Sequence, residues 1–270
     1  MQAFQRALLF LAFLPALAHA ELMLNPTRVV LAKNQRAAQI ELINNGEEPA
    51  TYRIGLVNRR MSETGELRQV TLPDAGEQFA DAMLAYSPRQ ITLVPGTAQV
   101  VRVMLRKPDG LADGEYRSHL HFEKLAGATG ASSVEGAAPG AQQIGVVLKT
   151  LIGASIPVIV RQGETRARVT LAQLALLPGA PVLSFSIERS GNSSVYGDIQ
   201  ASFTGADGKV HVLGKASGVA VYVPNPLRRA QLALLPPAGV ALARGTLHLS
   251  YRERPEAGAR LLAEAFLPLP

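Results

Sequence analysis

The residues with the widest chemical range in this chain are His119 and His121, two apart in Ser118-His119-Leu120-His121-Phe122. On a strand that spacing puts both imidazoles on one face, where they could share a metal ion. No third ligand stands nearby, and two histidines lining an exposed sheet face is the plainer expectation. Asp207, in Gly205-Ala206-Asp207-Gly208-Lys209, fits a tight hairpin turn, because the other oxygen ligands of a calcium loop are missing. Asn192-Ser193-Ser194 matches a glycosylation acceptor, a three-residue pattern of low specificity. The chain has no cysteine, which removes thiol catalysis and thiolate metal sites. It also has no G-x-S-x-G elbow, no glycine-rich phosphate loop ending in Lys-Ser/Thr and no H-E-x-x-H. Nothing assembles a reaction, so no catalytic residue, cofactor or metal is expected, and the chain reads as a non-enzyme.

The elements that must position any site begin after residue 20. Residues 1–20 carry Arg6, an apolar run from Ala7 to Leu17 and the small-x-small end Ala18-His19-Ala20, the pattern of a cleaved signal peptide. Pro15 interrupts a run already short for a membrane anchor. The mature chain is expected to start at Glu21, outside the cytoplasm, with no later segment long and apolar enough to insert in a membrane. Losing Arg6 lowers the net charge from +6 to about +5. That charge is dispersed in pairs such as Arg59-Arg60, Arg106-Lys107 and Arg228-Arg229, without the concentrated basic footprint that nucleic-acid binding needs.

From Leu22 onward the pattern is all strand. Seven short β-prone segments precede residue 126, separated by turn compositions such as NNGEEPA and KPDGLADGE, which predicts an antiparallel sandwich. Residues 74–84 are the one helix-compatible piece, short enough for a single turn in a crossover. Residues 125–141, LAGATGASSVEGAAPGA, read as a glycine-rich loop. After Arg161-Gln162-Gly163-Glu164 the strand pattern restarts, predicting a second sandwich over 164–270. A hinge that short holds two domains at a fixed angle with a cleft between them.

One segment stands apart. In QQIGVVLKTLIGASIPVIVRQG, residues 142–163, Ile144, Val146, Leu148, Ile152, Ala154 and Ile156 alternate on one face, with Thr150 completing the row. Such a strand needs an apolar surface to cover, and the loop before it would let it lie at a sheet edge.

An exported chain with LNPTRVVL near its start, GEYRSHLHFEKL before a glycine-rich loop and an alternating strand ending IPVIVRQG resembles the periplasmic chaperones of the chaperone-usher pilus pathway, the PapD-like proteins. The resemblance covers essentially the whole mature chain and is carried mainly by the first domain. It implies an all-β fold of two immunoglobulin-like sandwiches, 21–163 and 164–270, set at an angle with an interdomain cleft. It implies pilin-like subunits and an outer-membrane usher as partners, and leaves open self-association of the free chain. In such chaperones a strand of the first domain completes the unfinished sandwich of a subunit, pairing its backbone and filling its groove. Here the donated face would be Ile144, Val146, Leu148, Thr150 and Ile152, with Ala154 and Ile156 kept for the chain's own core.

By the same resemblance Arg28 anchors the subunit's terminal carboxylate in the cleft, and Glu115 and Arg161 form a salt bridge across the domain interface. A third partner in the second domain would be Glu253 or Glu256. The family's cleft lysine is absent, with Pro157 in its place, and Arg102 and Arg117 are the alternatives for a second cation. Two other readings are a secreted structural adhesin or pilus subunit, and an exported β-sandwich hydrolase. A subunit should carry its own N-terminal donor extension, whereas this chain enters a strand almost at once. A hydrolase should show a carboxylate pair or an aromatic platform, and this chain has no Trp and 5% aromatic residues.

Overall fold

Apolar residues at alternate positions give strands with one dry face, and two such faces packed together give a sandwich. The structure, a computed structural model, describes residues 21–126 and 153–270. In the first half the strands are β1 (Leu22–Asn25), β2 (Val29–Leu31), β3 (Ala37–Asn44), β4 (Ala50–Met61), β5 (Leu67–Val70), β6 (Leu84–Ser87), β7 (Gln90–Leu93), β8 (Ala98–Leu105), β9 (Gly114–Lys124) and β10 (Ala154–Gln162). In the second they are β11 (Ala167–Leu176), β12 (Val182–Gly191), β13 (Val195–Gly205), β14 (Val210–Val221), β15 (Leu227–Ala233), β16 (Gly245–Glu253) and β17 (Leu261–Leu269).

Each half is a pair of sheets. The first packs β1-β3-β8-β6 against β2-β10-β9-β4-β5, with β7 also on β4. The second packs β11-β12-β15 against β14-β13-β16-β17. Inward residues of the first pair, among them Tyr52, Phe122, Leu42 and Val158, make one core. Phe203, Tyr251, Leu183 and Ile187 anchor the other. Residues 74–84 supply a single 3-10 turn, Asp81–Met83, and then enter β6 directly, because Met83 and Leu84 are drawn into the first core. The segments VHVLG and GVAVYVP, separate by pattern, join as one strand, β14. Its register on β13 slips twice, and Gly218 takes up one slip at φ +71°, a conformation open to glycine, while its N–H donates to Asp198 Oδ1 at 2.9 Å.

The two sandwiches meet along a seam. Met61, Ile159, Ala220 and Tyr222 form a small third core there, with Val30 and Tyr196 against it. The tip of the β4–β5 hairpin adds polar ties: Arg229 N donates to Glu63 O at 2.7 Å, and Asn225 Nδ2 to Met61 O at 2.8 Å. Among the described residues no helix is long and apolar enough to cross a membrane.

Candidate functional site

The seam is built from the outer face of β2-β10-β9-β4. On β2 the core takes Val29 and Leu31, so Arg28 and Val30 must point the other way, toward the second sandwich. Arg28 lies in the wall of a cleft of about 840 Å³ that also takes in Arg161, Arg168, Tyr196, Glu253 and Arg254. Its guanidinium stands 4.6 Å from the ring centre of Tyr196 and 5.5 Å from that of Tyr222, and Nη1 donates to Tyr222 Oη at 3.4 Å. Among the described residues it has no acidic partner. The ring faces supply attraction without neutralising the charge, so it stays available to an anion.

The same alternation acts on β9. Tyr116, Ser118, Leu120 and Phe122 turn inward or are sealed beneath the sheet, leaving Arg117, His119 and His121 on the seam side. Arg117 is only 7% exposed. Its Nη2 donates to Arg59 O at 2.9 Å and its Cζ sits 4.0 Å from the Tyr222 ring centre, yet Nε and Nη1 have no hydrogen-bond partner among the described residues. Burial pushes the guanidinium below its ordinary proton affinity, with Tyr222 and Glu115 acting against that shift.

His119 is 1% exposed and meets the Tyr222 ring edge-on at 6.4 Å. The expectation that the histidine pair lines an exposed face therefore fails for His119, because the second sandwich covers that part of the sheet. Neither of its ring nitrogens has a hydrogen-bond partner among the described residues. Burial, reinforced by Arg117, Arg59 and Arg28, lowers its pKa from 6.5 to about 3. His121 instead places Nδ1 3.1 Å from Ala154 O. No group of three metal-ligating side chains forms among the described residues.

Glu115 and Arg161 are direct neighbours on β9 and β10, with Arg161 Nε 3.2 Å from Glu115 Oε2. Their register makes this an ion pair within the first sandwich, which corrects the expectation of a salt bridge across the interface. What crosses is Ser194 of the second sandwich. Its N–H donates to Glu115 Oε2 at 3.0 Å, its hydroxyl donates to Glu115 Oε1, and its carbonyl accepts from Arg161 Nη2 at 3.4 Å. Neither expected third acid joins them: Glu253 pairs with Arg260 and Glu256 with Arg254. Asn192, of the glycosylation triplet, braces the junction by bonding Arg166 N and Glu164 O.

Of the two alternative second cations, Arg102 lies exposed on β8 opposite Gln39 and Ser87, in the other sheet, which excludes it. Arg117 lies beside the cleft arginine. Ile144, Val146, Leu148, Thr150 and Ile152 lie outside the described residues, as does the glycine-rich stretch from residue 127. The described part of their strand has an informative edge. β10 pairs with β9 along its whole length, but β2 meets it only at Val158–Val160. Among the described residues, Ala154–Pro157 thus have a partner strand on one side only, and Ala154 and Ile156 face the first core.

Tyr222, Tyr196 and Ser194 carry the second-sandwich side of this site; they lie in GVAVYVP and GNSSVYG, segments in which sequence reasoning assigned none of them a site role. All three acquire their roles only through contact with the other sandwich.

No family model matches the chain, and no curated protein matches it. Among solved structures the chain is similar to the YadV chaperone, at 12% identity and a TM-score of 0.46, over 93% of this chain and 100% of that one. It is similar to the Pseudomonas aeruginosa CupB2 chaperone at 12% identity and a TM-score of 0.43, over 91% and 98%. It is also similar to a chain of the CsuC–CsuE chaperone–tip adhesion subunit pre-assembly complex of Acinetobacter baumannii, at 11% identity and a TM-score of 0.45, over 92% and 97%.

Proposed function

We propose that this protein is a periplasmic chaperone that binds and folds pilin-like subunits by lending them a strand, and delivers them to an outer-membrane usher. Its domains are the two sandwiches, divided at Gly163 and Glu164. The observation that carries this reading is the half-paired start of β10. A strand that among the described residues is bonded on one side only, with alternate side chains turned to one face, offers an incoming sandwich backbone partners and a fill for its groove at once. The row Ile144, Val146, Leu148, Thr150 and Ile152 keeps the phase of Ala154 and Ile156, and is the donated face. Arg28, in the cleft wall without an acid of its own, receives the terminal carboxylate of the subunit through charge-assisted hydrogen bonds. Handover needs no chemical energy, since one donated strand is exchanged for another of better fit, and no catalytic group is required.

The test is to purify the tagged full chain from the periplasm of a host that is making surface fibres, and to identify stoichiometric companions by mass spectrometry. A small all-β subunit retained one-to-one by the wild type, and lost from Leu148→Asp and Ile152→Asp at unchanged chaperone yield, is the expected result. Equal capture by both variants removes the strand-lending mechanism. Absence of any companion removes the chaperone reading.

A further inference from the structure

The chain crosses between the sandwiches once, at residues 162–166 after β10, and the bonds around that crossing crowd together. Lys107 Nζ donates to Arg161 O and to Gln162 Oε1, both at 2.9 Å. Asn192 holds Arg166 N and Glu164 O, and Ser194 meets Glu115, which pairs with Arg161 across β9 and β10. Ties gathered at one place fix a pivot and leave a turn about it free. Only a contact set off to the side stops that turn.

The β4–β5 hairpin supplies such a contact. β10, β9 and β4 are successive strands of one sheet, and β4 and β10 both run antiparallel to β9, so they end on the same side. The hairpin therefore leaves the sheet two strand spacings, about 10 Å, from the hinge. β15 is an outer strand of its own sheet, and its Arg229 N–H donates to Glu63 O at 2.7 Å, as it would to a neighbouring strand. Arg229 Nε also donates to Glu63 Oε2 at 3.1 Å, an exposed pair that adds direction more than energy.

Beside Glu63 the tip turns at Gly65, whose N–H donates to Ser62 O at 3.0 Å and whose φ is +89°, a conformation open to glycine. Arg228 fills the space against it. Its Nη1 donates to Ala220 O at 2.6 Å, and a Cβ on residue 65 would lie 2.5 Å from Nη2. Glycine is thus required twice here, once by the turn and once by the guanidinium on which the tip rests.

We propose that the β4–β5 hairpin is a strut that fixes the twist of the second sandwich about the hinge, with Glu63 hooked on the edge of β15 and Gly65 seated on Arg228. The cleft takes its walls from both sandwiches, Arg28 from one and Tyr196 and Glu253 from the other, so the twist held by the strut also sets how wide the cleft opens. The strut goes beyond the chaperone reading and does not depend on it.

The chain has no cysteine, so spin labels can be attached through Gln39→Cys and Val210→Cys, exposed positions outside the seam, and the distance between them read by pulsed electron resonance. The unaltered hairpin is expected to give one narrow distance. Replacing Ser62–Glu66 by Asn-Gly keeps a two-residue hairpin turn without the tip; it should broaden the distance and speed hydrogen exchange at the Arg229 amide about tenfold, the size of one hydrogen bond. Gly65→Asn tolerates the left-handed turn but meets Arg228, so it should broaden the distance too, and adding Arg228→Ala should narrow it again. A distance that stays narrow without the tip overturns the strut, as does an Arg229 amide that exchanges equally fast with and without it. Broadening in Gly65→Asn that Arg228→Ala fails to reverse overturns the seating on Arg228. Each of these failures leaves the chaperone reading standing, because that reading is tested by subunit capture.

Discussion

Mild acidification should weaken this protein through His119. His119 is neutral in the fold, with a pKa lowered from 6.5 to about 3 by burial and by Arg117, Arg59 and Arg28 around it. In the unfolded chain the same imidazole takes up a proton near 6.5. For a base with a depressed folded pKa, the unfolded state binds more protons below 6.5, so stability is complete above that pH and is lost as pH falls toward 3. Each unit in that window costs about 1.4 kcal/mol, so pH 5 removes about 2 kcal/mol and the whole window about 5. The groups facing the ring are Arg117 on its own strand, Arg59 from β4, Arg28 ahead of β2 and the Tyr222 ring, and none can accept a proton from it.

The perturbation is His119→Leu. Both ring nitrogens lack hydrogen-bond partners among the described residues, so the apolar replacement forfeits none and removes the titration. Urea unfolding followed by circular dichroism at pH 7.5 and pH 5.0 would measure it. The variant should match or exceed wild type at pH 7.5 and lose about 2 kcal/mol less on going to pH 5.0. Equal losses in the two proteins would refute the buried neutral histidine.

The remaining predictions concern the seam and the second core. Glu115→Ala strips Ser194 N–H and Arg161 of their shared acceptor in a buried position and should cost about 3–5 kcal/mol, read as a lower melting temperature and faster proteolysis at residues 162–166. Tyr251→Phe removes the 2.7 Å bond that its hydroxyl donates to Val219 O inside the second core, for a loss of about 1–3 kcal/mol in thermal unfolding. Gly197→Ala would set a methyl group against the Arg252 carbonyl oxygen across β13 and β16, and should destabilise the second sandwich by about 1–3 kcal/mol or prevent its folding, as measured by soluble yield and melting.

How far the sequence reaches is visible in two arginines. Arg28 is legible: it follows Pro26 and precedes two residues committed to the core by period two, so its outward direction could be read from its neighbours. Arg117 obeys the same alternation, and from the sequence an outward arginine on a half-buried strand is simply solvated. Only the docking of a second sandwich on that face turns it into a buried cation, and nothing local to β9 encodes the docking. His119 was misjudged for the same reason. Most strands were legible because alternation is local, but LMLNPTRVVL divides into β1 and β2 around Pro26, and the short strand β6 was not read. The reading failed also where a slip in register, as at Gly218, let one strand run through a glycine that pattern alone reads as a break.

The seam's two polar ends differ in how completely they are bonded. At Glu115 every acceptor is used: two donors from Ser194, one from Arg161, with the acid almost wholly buried. Separating the sandwiches there would strand a charge, which is among the costliest events a fold can meet. At Tyr222 the balance is reversed. The ring faces two cations, of which Arg117 has two buried nitrogens without a partner among the described residues, and the hydroxyl has one long bond. Removing the ring would lose the cation–ring attraction and would also uncover the small seam core of Met61, Ile159 and Ala220. The seam is therefore held by bonded charge at Glu115 and by packing of the Tyr222 ring on Met61, Ile159 and Ala220 at the other end.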